Sequence, residues 1–171
     1  MSIMMKKTMG MILGVIMIGA LTACSNTEPT KQTELPNPFT EVSTLSEATN
    51  ITGFDLELPE APVDYPDQIV RVMGQTMIEV LFVNKANETE AGQDEGYRIR
   101  KAAGSDDISG DYNEYAKTDM ETINHIEVTL KGNDEGVSVA IWSADGYTYA
   151  VDANDHPLSK EVMIAVIKAV K

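Results

Sequence analysis

The fold of this chain is decided by the stretch Ile126-Glu-Val-Thr-Leu-Lys-Gly-Asn-Asp-Glu-Gly-Val-Ser-Val-Ala-Ile-Trp-Ser-Ala-Asp-Gly-Tyr-Thr-Tyr-Ala-Val151. Apolar and polar residues alternate in its first part, and they alternate again after Val137 and after Tyr147, as they do in strands with one buried face. Asp145-Gly146 is a strong signal for a two-residue hairpin turn. Consecutive strands joined by such short turns predict an antiparallel sheet rather than parallel βαβ units.

Further strand patterns lie before this stretch. Residues 68–73 and 76–83 are separated by Gly74-Gln75, which suits a tight hairpin, and residues 97–102 alternate again. Residues 54–58 predict a short strand, and residues 123–131 predict one continuous strand. Two polar, acidic stretches, 84–96 and 103–121, predict exposed loops.

Helices are predicted only near the two ends of this region. Thr44-Leu-Ser-Glu47 has the spacing of a capping box, and Gly53 stands where a helix would end. Residues 158–170 predict a second helix, with Ser159 as its N-cap and an apolar stripe that contains Met163. The predicted fold is α+β: a twisted antiparallel β-meander of about six strands with an N-terminal and a C-terminal helix packed on one face.

The first 24 residues predict export and lipid anchoring. Lys6 and Lys7 precede a charge-free run of about 13 residues, shorter than the roughly 20 that a membrane-spanning helix needs. An uncleaved anchor helix is therefore the less favoured alternative. Leu21-Thr22-Ala23-Cys24 resembles the lipobox of bacterial lipoproteins, which are cleaved between the last two of these positions and carry diacylglycerol on the cysteine. Two acyl chains are what stable anchoring requires.

This interpretation divides the chain into three parts. Residues 1–23 are predicted to be the signal peptide, 24–39 a flexible tether, and 40–171 a single α+β domain at the extracytoplasmic face of the cell membrane. Cys24 is the only cysteine, so the domain can form no internal disulfide.

The chain is strongly acidic, and this charge excludes some partners. Its formal net charge is −14, and the loss of Lys6 and Lys7 with the signal peptide would lower it to −16. Such a charge opposes binding to nucleic acid or to anionic lipid headgroups, because both attract basic surfaces. Solubility is the first explanation of the acidity, and attraction of divalent cations or basic peptides is the other.

No metal or cofactor is predicted. The pattern Asp152-x-Asn154-x-His156 begins like a calcium-binding EF-hand loop, but Pro157 and Met163 occupy positions that need glycine and glutamate. Weak calcium binding by the acidic loop, which contains Asp106, Asp107 and Asp111, is less favoured than a solvated loop.

Several short motifs resemble one known family. They are Leu45-Ser-Glu-Ala-Thr-Asn-Ile-Thr-Gly-Phe54, Asp107-Ile-Ser-Gly-Asp-Tyr112, Ile126-Glu-Val-Thr-Leu-Lys-Gly132, Ala140-Ile-Trp142 and Gly146-Tyr-Thr-Tyr149. Together these motifs, spread over residues 41–170, are similar to an uncharacterised family found in Gram-positive bacterial lipoproteins and extracytoplasmic anti-sigma-like proteins. The resemblance implies the fold and the location, and it carries no catalytic residue to this chain.

Few residues are candidates for a functional site. Only His125 and His156 could act as a positioned base, and the chain has no Gly-x-Ser-x-Gly motif, so no enzyme is predicted. Trp142 has the opposite strand parity to Val139 and Ile141, so it leaves the main apolar face unless a bulge intervenes. An exposed tryptophan beside Arg98 and Arg100, with His125 on the same polar face, would form a ligand surface. The alternative is that the tryptophan packs under a long loop.

The sequence therefore predicts a membrane-anchored, non-enzymatic binding or sensing module. Its partner would be an extracytoplasmic protein or a small apolar ligand. The alternative is a carrier that holds a lipid or another hydrophobic ligand in a cavity between sheet and helices. An envelope enzyme is the third class, and it would require His125, Glu127 and an acidic loop residue to converge in one cleft.

Overall fold

A computed structural model describes residues 37–89, 92–104, 106–153 and 155–171. The predicted signal peptide (1–23), Cys24 and most of the predicted tether lie outside these described residues. The elements are β1 (Thr40–Val42), α1 (Leu45–Thr52), β2 (Asp67–Met73), β3 (Met77–Thr89), β4 (Gly92–Ala103), β5 (Lys117–Ile123), β6 (Ile126–Gly132), β7 (Val137–Ala144), β8 (Tyr147–Asp152) and α2 (Lys160–Ala169).

The strands form one antiparallel sheet in the order β1-β2-β3-β4-β8-β7-β6-β5. The α+β class is confirmed, but the sheet has eight strands rather than about six. It is also not one meander. The chain runs up and down through β1 to β4, crosses to the far edge, and returns through β5 to β8 until β8 pairs with β4. The central pair, β4 and β8, therefore joins the two halves of the sheet.

The connection from β4 to β5 must span four strand spacings, about 19 Å at the usual separation. It crosses the sheet on the face that Arg100 occupies, because Arg100 Nη1 donates hydrogen bonds to the carbonyl oxygens of Ile108 and Ser109. Asp107 also stabilises this connection. Its Oδ1 accepts a hydrogen bond from the Ser109 hydroxyl at 2.7 Å, and its Oδ2 lies 3.2 Å from Lys131 Nζ. Burial alone raises the pKa of Asp107, but the hydrogen bonds from Ser109 and the nearby Lys131 ammonium hold it below its usual value.

The two faces of the sheet differ in what covers them. We call the face that packs against α1 and α2 the helix face, and the other the second face. The core lies on the helix face, where Ala48 of α1 and Met163 of α2 are fully buried against strand residues. These strand residues are apolar and share one parity on each strand; they include Val70, Val72, Ile78, Val80, Phe82, Tyr97, Ile99, Val128, Leu130, Ala140, Trp142, Tyr149 and Val151.

The predicted helix ends and the predicted hairpin turn are confirmed. Thr44 caps α1 by accepting from the Glu47 N–H at 3.1 Å, and Gly53 ends the helix with φ +81°. Ser159 caps α2 by accepting from the Val162 N–H. Asp145 and Gly146 both have positive φ, as a type I′ turn requires. Within the described ranges, no helix combines the length and the apolar character that crossing a bilayer requires.

Four predicted boundaries are wrong. The predicted loop 103–121 ends earlier, because β5 begins at Lys117 and its mostly exposed side chains show no alternation. The stretch 84–96 is largely the end of a long β3–β4 hairpin, and its polar side chains are mostly exposed, so no alternation marked it as strand. Residues 123–131 do not form one strand, because Asn124 and His125 have φ of 51° and 67° and form the turn between β5 and β6. Residues 54–58 form no assigned strand; instead, the backbone of Glu57 pairs with that of Lys171.

Candidate functional site

The structure corrects the expectation for Trp142. Its side chain is 4 % exposed on the helix face, where it stacks on Tyr149 with ring centroids 5.3 Å apart. The cause is a β-bulge: Lys131 faces Val139 and Gly132 faces Val137, so β7 has one extra residue between the two pairs. The bulge shifts the parity of the strand and turns Trp142 toward the core, although the residue still borders a shallow surface depression near the β5–β6 turn.

Arg98 and Arg100 lie on the second face, so the structure does not bring them together with Trp142. Arg100 is buried and has a packing role: its Nε and Nη2 lie 2.7 and 2.6 Å from Oε2 of Glu79, which is 1 % exposed. The Phe39 ring lies over the guanidinium, with its centroid 5.3 Å from Cζ. Arg98 is more exposed, and its guanidinium lies 2.9 Å from Glu95.

His125 is exposed in the β5–β6 turn rather than in mid-strand. It lines a shallow depression together with Glu127, Trp142 and Ser143, so the structure brings two of the predicted ligand-surface residues, His125 and Trp142, to one place. Among the described residues, none forms a hydrogen bond or an ion pair with His125, and the Ser143 hydroxyl contacts Thr148 instead.

An apolar groove of about 470 Å³ lies beside α2. We call it the α2 groove. Three separate parts of the chain line it with apolar side chains or backbone: the segment between α1 and β2, the start of β4, and α2 with the turn before it. These residues are Pro59, Pro62, Tyr65, Gly96, Tyr97, Leu158, Val162, Ala165 and Val166.

Gly96 shapes one wall of the α2 groove. Phe82 pairs with Tyr97 and Val83 pairs with Glu95, so Gly96 is the extra residue of a β-bulge in β4. A Cβ at this position would collide with the ring of Tyr65. The absence of a side chain therefore lets the Tyr65 ring lie directly on the backbone of the sheet.

The segment that carries Tyr65 is held at both ends. Its turn is closed by the Tyr65 N–H donating to the Pro62 carbonyl at 3.1 Å, and Asn84 Nδ2 donates to the Asp64 carbonyl at 2.9 Å. At the other end, the Glu57 N–H donates to the Lys171 carbonyl at 2.8 Å. These contacts fix the segment to β3 and to the C-terminus, so they set the width of the groove.

Negative charge surrounds the α2 groove. Two exposed carboxylates, Glu60 and Asp64, are among its lining residues, and we call them the rim carboxylates. His156, also at the groove, lies 3.7 Å from Asp94 Oδ1, and its ring centroid is 5.8 Å from that of Tyr65. Burial, together with the charges of Asp94 and Asp64, raises the pKa of Tyr65.

Tyr97 forms part of the boundary between the α2 groove and the core. Burial raises the pKa of this phenol to about 12, and its ring lies 4.8 Å from that of Phe82. Gly96 and Tyr97 also border a second, polar depression of about 440 Å³, which Arg98 lines with several acidic residues: Glu95, Asp111, Asp152 and Asp155. In the part of the chain that the structure describes, no group of three or more His, Cys, Asp or Glu residues could hold a metal ion.

Sequence reasoning missed the α2 groove, although Val162 gave a signal. It lies next to the buried stripe of α2, and its side chain is 48 % exposed. Val63 gave a second signal, since an apolar residue between Pro62 and Asp64 has no strand or helix to bury it and is 94 % exposed. Val162 lines the α2 groove, and Val63 belongs to the segment that forms its other wall, although Val63 itself does not line the groove.

No family model, no curated protein and no solved structure matches this chain. The resemblance to the lipoprotein and anti-sigma-like family therefore stays a prediction from the short motifs.

Proposed function

We propose that this protein is a non-enzymatic binding module, anchored by lipid on Cys24 at the extracytoplasmic face of the cell membrane, and that it binds an apolar segment of a partner protein in the α2 groove. One observation carries the proposal: an open, apolar groove of about 470 Å³ lies on a domain whose helix–sheet interface is otherwise well buried. Its volume lies within the range of about 300–1,000 Å³ that is usual for small-molecule and cofactor pockets.

The residues that line the groove also support binding rather than catalysis. Its lining combines prolines, tyrosines and small aliphatic residues, which supply contact area and little reactive chemistry. Among the described residues that line the groove, His156 carries the one imidazole, and it contacts Asp94 and the Tyr65 ring. Among the described residues, no serine, threonine or cysteine lines the groove beside it.

Site-specific cross-linking in cells tests this function. A photoreactive amino acid replaces Val162 in the groove, and in a matched control it replaces Met120, which is 69 % exposed on β5. We expect a discrete cross-linked protein from position 162 and none from position 120. The partner identified in this way should then bind the purified wild-type protein at least tenfold more tightly than Val162→Glu. Equal labelling at both positions, or no loss of affinity in Val162→Glu, contradicts the proposal.

A carrier of a hydrophobic ligand is the second candidate. One observation supports a carrier: the groove meets the helix–sheet core at Tyr97 and Val166, both of which are buried. Native mass spectrometry of the membrane-extracted protein distinguishes the two candidates. A carrier should retain an added lipid mass that Val162→Glu loses, whereas a protein-binding module should give the mass of the anchored chain alone.

A further inference from the structure

The α2 groove combines an apolar lining with negative charge that this domain does not neutralise. The rim carboxylates, Glu60 and Asp64, are both exposed. Among the residues that the structure describes, no lysine, arginine or histidine lies within ion-pair distance of either carboxylate. The raised pKa of Tyr65, to which Asp94 and Asp64 contribute after burial, is a second sign of negative potential at this place.

Several acidic residues elsewhere in the domain have a basic partner. Glu57 pairs with Lys171, Asp107 with Lys131, and Asp134 with Lys117. Glu79 and Glu121 are likewise paired, with Arg100 and Lys160. The rim carboxylates have no such partner among the described residues, and unlike those paired carboxylates they stand at the edge of the apolar α2 groove.

A second copy of this chain is a poor occupant of the groove. Val63, which is 94 % exposed, would suit insertion into the groove of another copy. A two-fold contact of this kind places the same surface of both copies face to face, so it would bring two sets of rim carboxylates together. Two chains that each carry a formal net charge of −14 would also repel one another.

We infer that the occupant of the α2 groove is an apolar protein segment flanked by lysine or arginine residues. This inference rests on the proposed function, and it specifies the chemistry of the partner. The apolar part of the segment fills the space between α2 and the 59–65 segment, and the flanking basic residues meet Glu60 and Asp64. Complementary charge at the rim of an interface gives specificity and faster association, while the apolar contacts supply most of the affinity.

Selection from a random peptide library tests the inference. The probe is a phage-displayed library of 12-residue peptides, selected on the full-length protein in detergent and counter-selected on Val162→Glu. Enriched peptides are synthesised, and their affinities are measured for wild type, for Glu60→Gln/Asp64→Asn, and for the control Glu135→Gln/Asp145→Asn. The control removes two exposed carboxylates that have no ion pair among the described residues and do not line this groove.

We expect the enriched peptides to join an apolar stretch to lysine or arginine. Their affinity should fall about threefold to tenfold in Glu60→Gln/Asp64→Asn and in higher salt, and it should stay near wild type in the control. Peptides with neutral or acidic flanks that bind wild type and Glu60→Gln/Asp64→Asn equally would overturn the inference and leave the groove as a binding site. If no peptide depends on Val162, the proposed function itself fails.

Discussion

Replacing Arg100 with methionine should destabilise the domain strongly, because it leaves a buried charge without its main partner. Glu79 is 1 % exposed, and its Oε2 is contacted by two nitrogens of Arg100. The remaining cation, Arg71, lies 3.5 Å from the other oxygen and is partly exposed. Arg100 also donates to the carbonyl oxygens of Ile108 and Ser109, so the same change releases the connection between β4 and β5.

The magnitude follows from the burial of the pair. Removing one partner of a buried ion pair costs about 3–5 kcal/mol, a large part of the about 5–15 kcal/mol that holds a typical domain folded. Replacing both partners with apolar side chains is often neutral, because no charge remains buried. We therefore expect Glu79→Met/Arg100→Met to be at least about 2 kcal/mol more stable than Arg100→Met. The double variant should still be less stable than wild type, because the two carbonyl groups have lost their donor.

Urea unfolding measures these differences, and the chain supplies its own reporter. Trp142 is the only tryptophan and is 4 % exposed, so its emission should change when the core opens. Lys117→Met is the control, because it breaks an exposed pair with Asp134 and should leave the midpoint unchanged. Two results would refute this account of the pair. One is a loss of less than about 1 kcal/mol in the free energy of unfolding of Arg100→Met. The other is a double variant whose loss equals the sum of the losses in the two single variants.

Three further predictions concern the anchor, the groove and the crossing connection. Cys24→Ala should move the protein from the membrane fraction to the soluble fraction, and a variant that stays with the membrane would contradict lipid anchoring. Gly96→Ala should lower the free energy of unfolding by about 1–3 kcal/mol, because the new methyl group collides with the Tyr65 ring. In a Tyr65→Ala background this cost should disappear. An equal cost in both backgrounds would exclude this contact as the cause. The lowered pKa of Asp107 means that its carboxylate stabilises the fold above the unfolded value of 3.8 and loses this effect as the pH falls through the folded value. The advantage of wild type over Asp107→Asn in urea should therefore shrink between pH 7 and about pH 2, and a constant difference would contradict the assignment.

Local patterns predicted the parts of the fold that local chemistry determines. The cap at Thr44 and the turn at Asp145 depend on residues within four positions of each other, so they could be read directly. The strand β5 could not be predicted from local patterns, because it is an edge strand whose side chains are mostly exposed on both faces and show no alternation. Trp142 was misplaced for a different reason: one extra residue in β7 reverses strand parity, and the sequence does not mark where that residue lies.

The candidate site was beyond sequence reasoning because its parts are distant in the chain. Tyr65, Gly96 and Val162 belong to three separate parts of the chain, and only the tertiary fold brings them to one groove. The arginines proposed as a ligand surface show the opposite effect. Arg100 seemed available because its strand alternates with apolar residues, yet the crossing connection and Glu79 bury it.

The contacts that hold the α2 groove also bear on how tightly it can bind. One wall is fixed to β3 through Asn84 and to the chain end through Glu57, and it rests on Gly96 without an intervening side chain. The opposite wall belongs to α2, whose Met163 is fully buried in the core. A groove with both walls fixed before binding loses little conformational freedom when a segment enters, so more of the contact energy remains as affinity. Cutting the Asn84 contact with Asn84→Ala should therefore weaken binding of a groove-dependent peptide although Asn84 is not among the lining residues, and an unchanged affinity would show that the wall does not need this tether.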